Sequence, residues 1–314
     1  MVSSFVNSAR FRLYFLLSLV LVGGLIRFIQ LSSSPFFSDQ DWYYTQAVTS
    51  VLEGKFPLVG ITTSIHWLHQ GSLWSLLLIP GLVMSNYHPL SGSFLTIVFG
   101  LASIPLAYFL GASVVSRKLG LILATLISLT GFSVIHSGLS YHTSPIPLFI
   151  LVFCLSLVKQ KHLLAGLFLG FLYQLHLLTF IFWPLTLIYL LKRNIPAGKI
   201  ILGFLLGILP FIYYGPVQTL GIFFWLIKFV IGLSPSSGMS VSYQVVLFIP
   251  LIIVVSFLLS KLKLSLALPL IALGIVYSYF VVTPLSPSLK EELAQINCSN
   301  PASTYLYWWK CEHN

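Results

Sequence analysis

Apolar residues along the chain come in long blocks separated by short polar or basic breaks. The blocks cover about 13–31, 72–84, 91–112, 120–137, 143–158, 162–175, 177–191, 199–214, 241–260 and 264–282. A helix that crosses the hydrocarbon of a bilayer needs roughly 20 such residues. The pattern therefore predicts an all-α fold, a polytopic transmembrane helical bundle of about 9 to 11 spans. Blocks shorter than that must tilt little, thin the bilayer or be shielded by neighbours. The block at 72–84, interrupted by Pro80-Gly81, is the weakest full crossing. Residues 32–71 form a long first outer loop, and loops of that length tend to be functional. Within it, from Asp41 to Glu53, Trp42, Ala47, Val48 and Val51 recur at helical spacing, which predicts a short helix lying on the membrane surface. The stretch from about 216 to 240, with Trp225, Lys228, Pro235 and Gly238, reads as an interfacial outer segment. The division expected is a transmembrane domain over 1–283 and a short extracytoplasmic tail over 284–314.

Composition excludes the soluble classes. The chain is 57% hydrophobic and 7% charged, with a mean hydropathy of +0.97, against about 25% charged in soluble domains. Its 25 Phe, 15 Tyr and 7 Trp bring more apolar surface than a disordered chain carries. A net charge of +10 would suit nucleic acid, but its placement changes that picture. Arg10, Arg12, Arg117, Lys118, Lys159, Lys161, Lys192, Arg193, Lys199, Lys261 and Lys263 sit in short loops or at block ends, the positive-inside pattern. No nucleic-acid partner is expected; the expected partner is membrane lipid, with the N-terminus cytoplasmic and the plasma membrane as the expected location. The first block lacks a small-residue cleavage site and runs through Arg27 into an aromatic loop, so it reads as a span and not as a cleaved signal peptide. All six acidic residues avoid the basic loops: Asp39, Asp41 and Glu53 fall in the first outer loop, and Glu291, Glu292 and Glu312 in the tail. Cys298 and Cys311 share that tail, where an oxidising compartment permits a disulfide, whereas Cys154 lies in an apolar block and reads as packing. No Walker or GxGxxG loop is present, which argues against ATP-driven transport.

Candidate chemistry gathers in the outer loop. Asp39 and Asp41 are the only aspartates, and they flank Gln40 just beyond the first span. Asp39 either caps the following helix or acts chemically, and a capped carboxylate is also an oriented one. His66 and His69 either line an acceptor entrance or anchor at the interface, and Tyr141 and His142 carry the same two readings. Gln174 and His176 either meet a donor phosphate or sugar or join helices by hydrogen bonds; 14 residues after His162, His176 stands about 21 Å along its helix, near the outer face. The histidines show no zinc-ligand spacing. The aromatic runs Phe223-Phe-Trp225 and Tyr305-Leu-Tyr-Trp-Trp309 read as interface anchors.

Four places carry a resemblance to a known superfamily. Gly-Gly-Leu-Ile-Arg27-Phe is followed by Phe-Phe-Ser-Asp39-Gln40-Asp41-Trp-Tyr43; then come Gly54-Lys-Phe-Pro-Leu-Val-Gly60 with Gly71-Ser-Leu-Trp, Ser137-Gly-Leu-Ser-Tyr141-His142-Thr-Ser-Pro145, and Ala165-Gly-Leu-Phe-Leu-Gly170-Phe-Leu-Tyr-Gln174-Leu-His176. In order and spacing, over about residues 10–215, they resemble the GT-C polytopic membrane glycosyltransferases, among them protein O-mannosyltransferases and lipid A aminoarabinose transferases. The Asp39…Tyr43 pair is similar to that family's acidic motif. The acidic residue that members often carry near Tyr141 is absent here, and so is a folded outer domain. The resemblance implies a glycosyltransferase that moves a sugar from a polyprenyl-phosphate donor to an acceptor glycan, lipid or protein on the outer face. It implies Asp39 as general base, Asp41 either orienting the acceptor or helping to hold a divalent cation, and Arg27 and Lys228 as cations for the departing phosphate. For Arg27 the alternative is snorkelling to headgroups, and for Lys228 interfacial anchoring; metal use stays open. The competing function is a transporter or flippase for a lipid-linked or small solute, with Asp39 and Asp41 as gating or ion-coupling groups. A non-catalytic scaffold is the third reading, in which Asp39 is replaceable without effect.

Overall fold

A computed structural model describes residues 8–31, 34–36, 38–63, 67–215, 221, 241–281, 288–299, 302 and 304–313. The first outer-facing calls at His66 and Lys228, and the segment 222–240, lie outside these residues.

Helix α1 (Ala9–Gln30) begins where the Ser8 hydroxyl accepts the Phe11 N–H and continues through the first apolar block. With α4 (Ser91–Val114) it is one of two helices, among the described residues, long and apolar enough to cross a membrane by length and composition. The block at 120–137 is one helix on paper and two in space. Helices α5 (Arg117–Leu129) and α6 (Gly131–Gly138) meet at a 54° bend, because Thr130 sits in an extended conformation at φ −66°, ψ 137°. Counted as one span, that pair makes a third crossing. Other blocks are cut by local chemistry. The 199–214 block splits into α10 (Gly198–Gly207) and α11 (Leu209–Tyr214) at Pro210, which lacks an N–H to continue the ladder. The 177–191 block opens with a 3-10 turn (Leu177–Ile181) before α9 (Phe182–Arg193), which Asn194 ends in the left-handed region at φ 50°. Shorter apolar helices are α3 (Leu73–Met84), α7 (Ile146–Val158) and α8 (His162–Leu175), with α12 (Val241–Lys261) and α13 (Leu264–Val281) after the segment 222–240.

The outward surfaces of these helices are apolar. Leu21, Leu25 and Ile29 of α1, Leu187 and Leu191 of α9, and Leu273, Val276 and Phe280 of α13 are all exposed. Stripes of that kind have a place in lipid and none in water, and the chain is accordingly a helical membrane protein. Small residues let the backbones close. Gly166 and Gly170 of α8 face Gly203 and Gly207 of α10, and a Cβ added at Gly170 would stand 2.8 Å from the Gly207 Cα. This is small-xxx-small packing, used where lipid removes any hydrophobic drive between helices.

The outer loop builds more structure than its pattern predicts. Helix α2 runs from Ser38 to Glu53, starting ahead of Asp41, so Asp39 falls inside its first turn and is not the residue before it. Its inner face, with Tyr43, Tyr44, Ala47 and Val48, is buried. It is a packed helix, not one floating on headgroups. A two-stranded antiparallel ribbon follows, β1 (Val59–Thr62) with β2 (His69–Gly71), a strand element that the all-α expectation did not include. Gly71 lies against α8: a Cβ there would meet the Gln174 backbone at 2.7 Å.

The tail docks on this loop. Ser288 bridges to Pro35, and the Leu289 N–H donates to the Ser34 carbonyl at 2.8 Å. Helix α14 (Leu289–Gln295) starts with a complete capping box from Ser288 and Glu291. Cys298 and Cys311 are joined in a disulfide with their Cα atoms 5.5 Å apart. Lys310 Nζ donates to the carbonyls of Leu293 (2.7 Å) and Ile296 (3.0 Å), serving the open end of α14. The following short helix α15 (Tyr305–Tyr307) and the π-helical turn Trp308–His313 pack inward. Tyr305, read from sequence as an interface anchor, is instead buried, its ring 4.8 Å from Tyr44 and 6.3 Å from Phe36.

Candidate active site

Two elements meet at one end of the bundle: the first turn of α2, and the segment 139–145 that links α6 to α7. The hydroxyl of Tyr141 donates to Asp39 Oδ2 at 2.6 Å across 102 residues of sequence. Tyr43, four residues after Asp39 and hence on the same helix face, is fully buried beside it. Its ring centre lies 5.3 Å from that of His142, which in turn lies 4.2 Å from Tyr141 and 6.0 Å from a parallel His176. Asp39, Tyr43, Tyr141, His142 and His176 are thus one cluster. Burial pushes the Tyr43 phenol well above its ordinary value, with the Tyr141 and Asp39 charges adding to the shift. Burial likewise holds His142 well below the usual imidazole range, helped by His176 and His136, so at neutral pH its ring is uncharged. Both His142 ring nitrogens are buried without a hydrogen-bond partner.

Tyr44 holds the two elements together, and the sequence reading missed it. Its hydroxyl lies 2.7 Å from both the Pro89 carbonyl and Ser140 Oγ, and accepts the Gly92 N–H at 3.0 Å. Ser140 precedes Tyr141, so the same side chain that ties α2 to α4 sets the segment bearing Tyr141. The only signal in sequence is the Tyr43-Tyr44 pair itself, one facing the cluster and the other the joint.

Other sequence candidates are placed elsewhere. Asp41 Oδ1 accepts the Tyr305 N–H at 2.7 Å, so this carboxylate docks the tail and is turned away from Asp39's partner. Burial raises the Asp41 pKa from its ordinary value, against the lowering effect of the Tyr305 and Leu306 N–H groups. Arg27 is fully buried, and this corrects both of its expected roles. Nε donates to Ser137 Oγ at 2.7 Å, one terminal nitrogen to the Gly23 and Ser128 carbonyls at 2.9 and 2.8 Å, and the other to the Ile127 carbonyl and Ser133 Oγ at 3.1 and 3.2 Å. A guanidinium has five N–H donors, and these five bonds use them all. Arg27 therefore serves the carbonyls freed where α5 breaks, and has nothing left for a phosphate or for headgroups. Gln174 Nε2 donates to the Gly207 carbonyl of α10, joining two helices, while its Oε1 is buried without a hydrogen-bond partner. His176 Nδ1 accepts the Leu178 N–H at 3.1 Å, and His69 Nδ1 lies 3.1 Å from the Gly60 carbonyl within the ribbon.

Two open cavities flank the outer face of α2. One of about 280 Å³ lies between the helix and the tail, against Thr49, Trp308 and Glu312. The other, about 430 Å³, lies by Asp41, Trp42 and Lys55. Among the described residues, no group of three or more His, Cys, Asp or Glu could hold a metal ion.

No known protein family and no curated protein matches the chain. Solved structures do. The archaeal oligosaccharyltransferase AglB from Archaeoglobus fulgidus, in complex with an inhibitory peptide and a dolichol-phosphate, is similar over 87% of this chain and 38% of its own, at 17% identity and a TM-score of 0.45. The apo form of the Archaeoglobus fulgidus oligosaccharyltransferase is similar over 88% of this chain and 38% of its own, at 17% identity and a TM-score of 0.43. The chain thus spans about 38% of the length of these proteins.

Proposed function

We propose that this chain is a membrane glycosyltransferase of GT-C type, moving a sugar from a polyprenyl-phosphate-linked donor to an acceptor on the outer face, with Asp39 as general base. The observation that carries the reading is the Asp39–Tyr141 pair: a carboxylate in the first turn of an outer helix, oriented by a phenol at 2.6 Å. As the acceptor oxygen bonds to C1 of the sugar, the C1–O bond to phosphate breaks, the acceptor proton passes to Asp39, and polyprenyl phosphate departs with the electron pair. A positioned base of this kind contributes roughly 10²- to 10⁴-fold in rate. Tyr43 and His142 wall the base, His69 and His66 belong to the acceptor side, and Lys228 is the cation left to meet the phosphate once Arg27 is spent. The same proposal includes 9 to 11 spans in a domain over 1–283, an outer tail over 284–314, a cytoplasmic N-terminus and residence in the plasma membrane.

The transporter or flippase reading draws on the 54° break between α5 and α6, since broken helices frame transport sites. At that break Arg27 is saturated by neutral protein oxygens, and the void beside His136 and Ser137 is about 20 Å³, the size of one water. Glycosyl transfer is the better account.

The test uses purified protein in lipid nanodiscs with a panel of polyprenyl-phosphate sugars and mixed acceptors. Wild type is expected to release free polyprenyl phosphate and Asp39→Asn to lose at least about 100-fold of that rate. Equal release by both removes Asp39 from the chemistry, and sugar-independent passage of donor lipid across the bilayer would favour the flippase.

A further inference from the structure

Building on the glycosyl-transfer reading, we propose that Tyr141 is the positioning residue for Asp39, and that its neutral hydrogen bond does the orienting so that transfer needs no divalent cation. A carboxylate base must present one oxygen to the acceptor while the other is fixed. Two chemistries can fix it, a metal ion shared with a second carboxylate or a hydrogen-bond donor.

The acid inventory decides between them. The chain has six acidic residues, and all six are described. Asp41 is committed to the Tyr305 N–H. Glu53, at the other end of α2, is roughly 21 Å from Asp39 at 1.5 Å per residue and pairs with Lys55. Glu291 is held in the capping box of α14, Glu292 follows it in that helix, and Glu312 lies in the turn beside Trp308. Among the described residues no group of three or more His, Cys, Asp or Glu surrounds Asp39, and hard divalent cations favour oxygen ligands over imidazole.

Tyr141 is already where a second ligand would stand. Its hydroxyl fills Oδ2 at 2.6 Å, leaving the lone pairs of Oδ1 to receive the acceptor proton. The Tyr141 ring is itself fixed from behind by His142 at 4.2 Å, and the preceding Ser140 by Tyr44. The partnerless His142 ring nitrogens add an uncharged donor to the same wall. A neutral wall of this kind orients the base without competing for its proton as a bound cation would.

The sequence makes the test clean. Because Asp39 and Asp41 are the only aspartates, aspartate labelled with ¹³C at its side-chain carboxyl gives two infrared carboxylate bands, and Asp41→Asn assigns them. In full-length protein in nanodiscs, Tyr141→Phe is expected to shift the Asp39 band, Mn²⁺ is expected to leave it in place, and electron paramagnetic resonance should find no stoichiometric Mn²⁺ binding. Polyprenyl-phosphate release should persist in excess chelator, while Tyr141→Phe lowers kcat by up to about 100-fold with KM little changed. Tyr141→Glu, which supplies the missing second carboxylate, should bind Mn²⁺ where wild type does not. The proposal is overturned if chelator abolishes release and Mn²⁺ restores it, or if Tyr141→Phe leaves both the Asp39 band and kcat unchanged. The infrared and Mn²⁺ readouts need no turnover. A shifted band without any release by wild type would therefore sink the glycosyl-transfer reading and the cation-free transfer built on it, and leave the pairing standing.

Discussion

Arg27 spends its five N–H donors on oxygens of Gly23, Ile127, Ser128, Ser133 and Ser137. Lysine keeps the charge but has three donors and no planar fork. Arg27→Lys therefore strands at least two buried oxygens, at about 1–3 kcal/mol each. A fall in Tm of several degrees is expected by intrinsic fluorescence in nanodiscs, with a larger fall for Arg27→Leu; an unchanged Tm would show that the break has other support. Tyr44→Phe removes one hydroxyl that touches Pro89, Ser140 and Gly92. It is expected to lower kcat more than Asp39-independent properties such as lipid binding, because Tyr141 loses its anchored neighbour. Neither residue's role can be read from the linear chain: an intramembrane arginine looks the same in sequence whether it meets a phosphate or carbonyls a hundred residues away. Asp39 and Tyr43, by contrast, are legible through the resemblance to a family motif, whereas the helix that puts them on one face starts three residues earlier than its apolar spacing predicts.

Among the elements, the close contact of α8 with α10 rests on glycines. A side chain at Gly166 would run into the Ile200 carbonyl, so Gly166→Leu should separate the helices and pull Gln174 off the Gly207 carbonyl. Loss of folded yield on size-exclusion chromatography is the expected result. Two carboxylates that secure the tail, Asp41 of α2 and Glu291 of α14, have opposite pH behaviour. Asp41 has its folded pKa raised, so docking of the tail gains as pH falls through the region just above the ordinary carboxylate value and loses as pH rises through it. Glu291 has its folded pKa lowered by its Ser288 contacts, so the start of α14 is supported above the ordinary value and loses that support as pH falls through the depressed one. Amide exchange at Tyr305 compared between wild type and Asp41→Asn, and at Glu291 against Glu291→Gln, checks both signs. The apolar blocks predicted these helices but not their breaks, since Thr130 and Pro210 interrupt runs whose hydropathy never falters.

For the molecule as a whole, basic residues mark the short loops between distant blocks. Lys118 Nζ donates to the Ser260 carbonyl at 2.8 Å, joining the start of α5 to the end of α12. Asp39, the ribbon and the disulfide-bonded tail belong to the other loops. Single cysteines placed at Lys161 and Lys263 in a Cys298→Ser, Cys311→Ser background are expected to react with a membrane-impermeant maleimide only after the bilayer is opened, whereas one placed at Lys55 should react at once. The opposite pattern would turn the active site inward. Charge placement is what predicts this polarity, as lipid selects loops by their lysines and arginines. The docking of the tail was not readable, because it depends on backbone groups at Ser34, Tyr87 and Tyr305 that carry no side-chain signature.

That docking has a consequence for biosynthesis. Asp41 and its partner Tyr305 are 264 positions apart, and a ribosome adding about 5–20 residues per second needs roughly 13 to 50 s to cover that distance. Throughout this interval Asp41 lacks its tail partner and the Tyr44 ring lacks the cover that Tyr305 gives it. The helix bearing Asp41 therefore reaches its final packing only once the tail has been made, about 13 to 50 s after the helix itself.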